Sequence, residues 1–500
     1  MSGAYVLGVD AGLSTIQTVA YDLDGAVLAS ASEPTPEHRP KPGWREVDPD
    51  ALWAATVRSI ASVTDQLHGP AIGVGVAGHG HGLYALDADG TPVRPAIKST
   101  DDRAADLLAS WDADGTAATV AAALGYEPFG ADPVSLLAWL ATHEPDALER
   151  IDHVLFCKDY LKYRLTNVVS TDEMEGSALD LPTGTGAEQA LGALGLAKFV
   201  GRLPPVVPSW EACGSITPAA ADTTGIPAGT PVASGLHDVG ATALGCGAFQ
   251  PGDATFIVGT WGQSVTVWAD RPDGPGLARR FRPNTWIQYR GNRSATASLD
   301  WFLDALCEPL TAMAESRDVD RYTLVDDIVD GVTPGAEGVL FVPYLDGSTD
   351  DPTDRGAFLG LSIEHDRAAM LRAVFEGVAY AQIIRMDQLR ERTTLRRCYI
   401  AGGGANSPVW CQLFADVIGR RISVATGQAA GARGAAICAA IAAGRYSTHA
   451  DAVASMVTHE REHVPDPDRV ADYRSRLETF SAAAAAIRPT TRALRQEAND

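Results

Sequence analysis

Two stretches of the chain, about half its length apart, repeat one pattern. Residues 5–19 read YVLGVDAGLSTIQTV and residues 255–267 read TFIVGTWGQSVTV. Each sets an apolar strand before a turn of glycine and hydroxyl residues, followed by an alternating strand. Aligning Asp10 with Thr260 also aligns Gly12 with Gly262 and Ser14 with Ser264. Either hairpin alone would be ordinary. The matched spacing, with each copy opening about half of the 500 residues, points to duplication and therefore to two related domains. The boundary falls near Ala248–Asp253, where Pro251-Gly252-Asp253 supplies a turn, so the expected domains are 1–248 and 249–500.

Around these hairpins the pattern is α/β. Strands are expected at Tyr5–Val9, Thr15–Asp22 and Ala26–Ala31, joined by turns at Asp10–Ser14 and Asp24-Gly25, which is an antiparallel meander. Asp50–Thr64 reads as a helix and Ile72–Ala77 as a short strand ending at Gly78-His79-Gly80-His81-Gly82. Late in the chain Asp366–Glu391, Val409–Ile418 and Gly431–Ala443 read as helices. Cys398–Ile400 reads as a strand running into Gly402-Gly403-Gly404, and the tail from Asp468 as a charged, peripheral helix.

Composition narrows the function. A net charge of −23 would repel a polyanion, so nucleic acid is excluded as a partner. Hydrophobic residues at 46% are enough for a sizeable core and too many for a disordered chain. The seven cysteines are scattered without CxxC spacing, which indicates reduced thiols in the cytoplasm rather than disulfides or zinc. No signal peptide opens the chain, and no apolar run reaches membrane-spanning length.

Five segments could carry chemistry. The two Gly/hydroxyl turns offer backbone N–H donors at close range to a polyphosphate, with Asp10 at a strand end able to hold Mg²⁺ or simply to cap its turn. PVASGLHDVGATALG, residues 231–245, reads as strand, tight loop and small-residue helix. Asp238 at that helix start is either an N-cap or a general base for a substrate hydroxyl. His79 and His81, between glycines, suit sugar hydroxyls, a metal pair or a plain polar loop. Ser99-Thr100-Asp101-Asp102-Arg103 could orient a polyol, or could be a helix start with Thr100 or Asp101 capping and Arg103 solvated. Gly402-Gly403-Gly404-Ala405-Asn406-Ser407 could admit a ribose or phosphate against backbone. No GxxxxGK-S/T sequence occurs, so a P-loop does not hold the nucleotide.

Taken together the segments resemble the FGGY family of carbohydrate kinases. The resemblance runs in order through LGVDAGLSTIQTVAYDLDG, PGWREVDPDALW, GHGHGLYALDADG, STDDRA, KDYLKYRLTN with TDEMEGSALDL, SGLHDVGATALGCG, IVGTWG, FVPYLDG, VFEGVAYA and AGGGANSPVWCQLFADVIG. It implies two actin-like, ribonuclease-H-like ATPase domains with a catalytic cleft between them. The first would bind sugar and carry the base, and the second would bind nucleotide. It implies Asp238 as catalytic base and Asp10, with Asp238, as the Mg²⁺-associated acids. Gly12, Ser14 and Thr15 would form one phosphate turn and Gly259, Thr260 and Trp261 the other, with Gly403, Gly404 and Ser407 lining the nucleotide. His79, Gly80, His81, Asp101, Arg103 and Asp238 would contact the sugar.

Departures from the family pattern bear on the sugar. The Asn-Gln-Arg-Glu motif of glycerol kinases is replaced by Gly78–His81, so glycerol is disfavoured. Val239 rather than Asn follows the catalytic aspartate, Ser99 replaces the aromatic residue before D-x-R, and Gly347-Ser348-Thr349-Asp350-Asp351-Pro352 replaces G-E-R-x-P. Two of these changes, Val239 and the stretch after FVPYL, resemble the L-xylulose kinase branch. The expectation is therefore ATP- and Mg²⁺-dependent phosphorylation of a small neutral sugar, a pentulose such as L- or D-xylulose. The alternatives are a tetritol or other polyol kinase, a non-kinase actin-fold ATPase, and an inactive sugar sensor. A homodimer is one assembly such a chain could adopt.

Overall fold

The apolar run that opens the chain forms the strand Tyr5–Ala11, buried almost throughout, as a strand covered on both faces should be. The computed structural model describes residues 3–499 apart from 182–183, 275, 352, 391–392 and 428. Tyr5–Ala11 pairs antiparallel with Thr15–Asp22, which pairs antiparallel with Val27–Pro34, so the meander forms. On its other side Tyr5–Ala11 pairs parallel with Ala71–Gly78. The helix Pro49–Thr64, capped by Asp48, lies in this crossover, and the same core gathers Leu52, Ala55, Ile60 and Val63 with strand residues Leu7, Val9, Val74 and Val76. The sheet is completed by Pro231–Ala233, parallel, and Ala212–Ser215, antiparallel. The two-residue strand Leu236–His237 pairs with the carboxyl end of Ala71–Gly78.

The first sheet packs on a helix from far along the chain. Ala430–Ala442 carries mostly alanine and glycine, and every residue from Ala430 to Ala440 is buried. Small residues let its backbone approach the strands closely. A Cβ placed on Gly8 would lie 1.8 Å from the Ala432 carbonyl oxygen, and one on Gly75 would lie 2.0 Å from that of Ala435. Only glycine fits at these positions.

The second sheet repeats the plan of the first. Its order is Leu277–Arg282, Thr285–Asn292, Gly262–Trp268, Asp253–Val258, Arg397–Ala401, Ile422–Ala425 and His459–His463. Asp253–Val258 is antiparallel to Gly262–Trp268 and parallel to Arg397–Ala401. Ile422–Ala425 continues parallel, and His459–His463 closes the edge antiparallel. The helix Arg367–Arg390 packs on this sheet, with Ser264 Oγ donating to the Gln382 carbonyl at 2.8 Å. Glu391, the expected last residue of that helix, lies outside the described residues, as does Pro352.

Two compact units result. One comprises Met1–Gly245, Arg279–Trp286 and Ala429–Thr458, and the other Cys246–Ala278, Ile287–Gln428 and His459–Asp500. Two short stretches beyond residue 248 thus belong with the first unit. The hairpin match is architectural rather than residue by residue. Asp10 lies within its strand opposite Gln17 and Ala77, whereas Thr260 lies in the turn between Val258 and its partner Gly262. The tail is not peripheral: in Pro467–Asn499, Tyr473 and Phe480 are fully buried in the core of the second unit.

Candidate active site

Three neighbouring strands of the first sheet end at the same edge, and each delivers a residue singled out from the sequence. Tyr5–Ala11 brings Asp10, Ala71–Gly78 leads into His79-Gly80-His81, and Leu236–His237 leads directly into Asp238. Carboxyl ends of parallel strands are where open α/β sheets bind ligands.

Asp10 lies against the first turn of Ala430–Ala442. A Cβ on Gly431 would stand 1.9 Å from Asp10 Oδ2. Asp10 Oδ1 is buried and has no hydrogen-bond partner among the described residues. Burial pushes its carboxyl up to about 6. Asp238 opens the helix Asp238–Cys246, its Oδ1 accepting from the Val239 amide at 2.6 Å and lying 3.1 Å from His237 Nε2. Burial, and next the charge of Asp10, push Asp238 up to about 7. Its side chain nevertheless keeps 30% exposure. Two carboxylates thus share a desolvated corner of one unit, one with an orphaned oxygen, which is the donor set a divalent cation takes.

The histidines form a polar cluster beside this pair. His79 Nε2 lies 3.0 Å from the Tyr84 hydroxyl, and its Nδ1 lies 3.3 Å from Ser99 Oγ. His81 adopts the left-handed region, φ +58°, and its Nδ1 meets Asp132 Oδ1 at 2.9 Å. A Cβ on Gly80 would come within 2.3 Å of His237 Cδ2 and 2.7 Å of Glu175 Oε1, so the bare glycine lets the imidazole and the carboxyl close in. Burial holds His79 down to about 3 and His81 and His237 below their usual range, and it holds Glu175 well above the usual carboxylate range. The lining is polar, and burial disfavours the charged forms of these three imidazoles and of Glu175. No group of three or more His, Cys, Asp or Glu able to hold a metal occurs among the described residues.

Asp101 and Arg103 serve each other first. Arg103 donates from Nε and Nη2 to the two Asp101 oxygens at 2.8 and 2.9 Å, and from Nη2 to Glu46 at 2.9 Å. The guanidinium also stacks 4.0 Å over Trp44. Arg103 is therefore buried rather than solvated, and the following helix, Ala105–Asp114, has no side-chain cap. Nη1 of Arg103 is buried and has no hydrogen-bond partner among the described residues.

The two glycine turns solve one problem in the same way. In the first, the carbonyls of Gly12, Leu13 and Ser14 accept from Thr35 Oγ1, Lys98 Nζ and the Thr35 amide, while Ser14 and Thr15 stay exposed. In the second, the carbonyls of Gly259, Thr260 and Trp261 accept from the amides of Thr296, Ala295 and Gly259, and Thr260 stays exposed. Tying back the carbonyls removes negative dipoles that would oppose an anion. Within the second unit a Cβ on Gly403 would just touch Thr296 Cγ2 at 4.0 Å, but Gly404 packs on Val258, where a Cβ would meet Cγ1 at 2.4 Å. Ser407 uses its hydroxyl to cap Pro408–Ile418 through the Trp410 amide at 2.9 Å and to donate to Asp326 at 2.6 Å.

Sequence comparison fixes the family. The N-terminal domain of the FGGY family of carbohydrate kinases matches residues 5–245, and its C-terminal domain matches residues 254–443. The chain belongs to the FGGY family of carbohydrate kinases. It is 30% identical over 494 residues to an L-xylulose/3-keto-L-gulonate kinase of Escherichia coli, covering 97% of both chains. It is 28% identical to an autoinducer-2 kinase of Salmonella typhimurium, covering 96% of this chain and 94% of that one. The crystal structure of a xylulose kinase from Rhodospirillum rubrum superposes with a TM-score of 0.84 at 28% identity, covering 97% of this chain and 99% of that one. The two-domain α/β fold is that of FGGY kinases, and the protein is a sugar kinase of this family, whose members take the phosphoryl group from ATP. No helix among the described residues is long and apolar enough to cross a membrane.

Four residues of this FGGY kinase's cluster are absent from the sequence reading: Asp132, Glu175, His237 and Arg279. Asp132-Pro133 reads as a helix start, yet the Asp132 side chain makes no cap bond and is spent on His81. Glu175 and His237 sit inside motifs quoted for other reasons. Arg279 belongs to a stretch that joins the first unit from beyond the hairpin at residue 260, and its charge helps depress His81 and His237. Only long-range pairing brings it there.

Proposed function

We propose that the protein transfers the γ-phosphoryl group of ATP to a hydroxyl of a small neutral sugar, a pentulose such as L- or D-xylulose. The observation that carries the reading is the Asp10–Asp238 pair, both raised by burial and Asp238 also by the charge of Asp10, beside a polar cluster in which burial disfavours the charged forms of three imidazoles and one carboxyl. A sugar hydroxyl is a poor nucleophile at neutral pH, and Asp238, partly open to solvent, is the group to accept its proton. A base near neutrality takes up a proton more readily than an ordinary carboxylate would. Asp10 and Asp238 fit Mg²⁺, which when bound would neutralise phosphate charge and orient the terminal group. The two turns, Gly12, Ser14 and Thr15 in one and Gly259, Thr260 and Trp261 in the other, would hold phosphates, with Ser14, Thr15 and Thr260 exposed. Gly403 would pass the nucleotide against bare backbone, with Gly404 shaping the turn and Ser407 fixing the helix behind it. His79, Gly80, His81, Asp101 and Arg103 would contact the sugar. The free cysteines, six of seven buried, suit a reducing cytoplasm.

Arg279 favours a second substrate, a sugar acid, because its guanidinium lies near enough to influence His81, His237 and Glu175. The test is ADP release with ATP and Mg²⁺ across L-xylulose, D-xylulose, tetritols, hexuloses and 3-keto-L-gulonate. Pentulose-dependent release with the highest kcat/KM supports the reading. A clear preference for the sugar acid moves it to the second substrate, and release independent of any sugar overturns it.

A further inference from the structure

We infer that Asp132 is a positioning residue that fixes the tautomer of His81, so that bare Nε2 is the atom accepting a hydroxyl proton of the sugar. The inference rests on the proposed sugar site and assigns one of its contacts. His81 Nδ1 lies 2.9 Å from Asp132 Oδ1, and the Asp132 side chain is fully buried. The same Oδ1 lies 3.0 Å from the Tyr126 hydroxyl, whose proton is shared with the Ala178 carbonyl at 2.9 Å, and Oδ2 accepts the Phe129 amide at 2.9 Å. An acceptor facing Nδ1 places the imidazole proton there, which leaves Nε2 with a lone pair. Nε2 has no hydrogen-bond partner among the described residues, although the His81 side chain is only 8% exposed. Nε2 is not among the buried atoms left unpartnered, so it is the ring nitrogen that stays accessible, where a ligand hydroxyl can reach it.

The backbone supports the same conclusion. His81 holds φ +58°, a conformation a non-glycine residue adopts only when its surroundings impose it. The Asp132 contact, the edge of Phe129 with ring centroids 4.7 Å away, and a long approach of the His81 amide to Glu175 Oε2 at 3.5 Å do so. Gly82, φ +77°, continues the turn where a Cβ would strike the Ile97 carbonyl at 2.3 Å. The loop is built to aim one imidazole.

Two measurements test this. The first needs no variant: long-range ¹H–¹⁵N spectra of histidine-labelled protein, with His81 assigned by its loss in His81→Asn, should show a protonated Nδ1 and a bare Nε2. An Nε2–H pattern overturns the inference whatever the activity. The second is a double-mutant cycle read with L-xylulose and D-xylulose. Asp132→Asn keeps the shape but turns an N–H toward the Phe129 amide or toward His81. It should raise the sugar KM about tenfold, the loss of roughly one hydrogen bond, with kcat and the ATP KM changed less than about threefold. In the His81→Asn background, where asparagine tolerates the left-handed backbone, the same change should add nothing. An additive rise in KM would make Asp132 a structural residue only. If the wild type phosphorylates no sugar, the kinase reading falls, and the tautomer spectrum still decides the role of Asp132.

Discussion

In the proposed reaction Asp10 and Asp238 share one risk: each would have to be ionised to act, and each is held where ionisation is costly. Changing Asp238 to Asn removes the proton acceptor and keeps the shape, so kcat should fall at least ~10²-fold, the low end of a general-base contribution. Nucleotide affinity, measured by titration calorimetry, should stay within a few fold. Near-normal turnover would remove Asp238 from the role. The same two groups set how stability depends on pH. Their folded values, about 6 and about 7, lie above the usual 3.8 of an unfolded aspartate. Between those limits the native state binds more protons than the unfolded one, so stability is greatest below about pH 4 for these groups and is lost as pH rises toward 7. Without ligand, the melting temperature corrected for Asp238→Asn should therefore decline from pH 5 to 8. The effect should be on the order of 1–2 kcal/mol, discounted for the partly open Asp238 side chain. A flat difference curve would show that the pair is not desolvated.

Among the elements, the helix Ala430–Ala442 has the least tolerance. Gly8→Ala would drive a methyl into the Ala432 carbonyl at 1.8 Å, a backbone atom that cannot swing away. Urea unfolding should show a loss of at least ~3 kcal/mol, the upper end of ordinary overpacking. Gly192, inside the helix Gly186–Ala193, meets nothing within 4 Å, so Gly192→Ala should be neutral or stabilising by about 0.5–1 kcal/mol. Equal effects at the two sites would mean that close packing is not what glycine provides at position 8. This contrast also shows what a single sequence reveals. Both hairpins, the turn glycines and the helix start at Asp238 were legible because each is fixed within a few residues. Helix Ala430–Ala442 was legible as a helix, but not its seat on the first sheet. The charge of the tail suggests a peripheral helix, yet Tyr473 donates to Glu376 at 3.0 Å and closes a buried network with Arg372. Arg103 was open between a polyol contact and a solvated helix start, and burial against Trp44 settled against solvent. The His81–Asp132 contact spans 51 residues, and no local pattern announces it.

At the scale of the molecule, the first unit is not a continuous piece of chain. Residues 429–458 belong to it, although the family's N-terminal domain matches only 5–245. Without Ala430–Ala442, strands Tyr5–Ala11 and Ala71–Gly78 would turn one face, lined by Gly8, Gly73 and Gly75, to water, because the backbone of Ala432, Ala435 and Ala439 covers it. Glycine strands gain little from side-chain burial and carry a high entropy cost, so the helix supplies much of what holds them. A fragment of residues 1–245 should therefore lack a cooperative thermal transition by circular dichroism and should expose apolar surface to dye. Joining residues 429–458 to it through a flexible glycine–serine linker should restore the transition, because effective concentration then favours docking. The same fusion carrying Gly8→Ala should not be restored, since the steric block lies at the docking face. If 1–245 alone melts cooperatively near the temperature of the full chain, the helix is an accessory to a unit that folds without it.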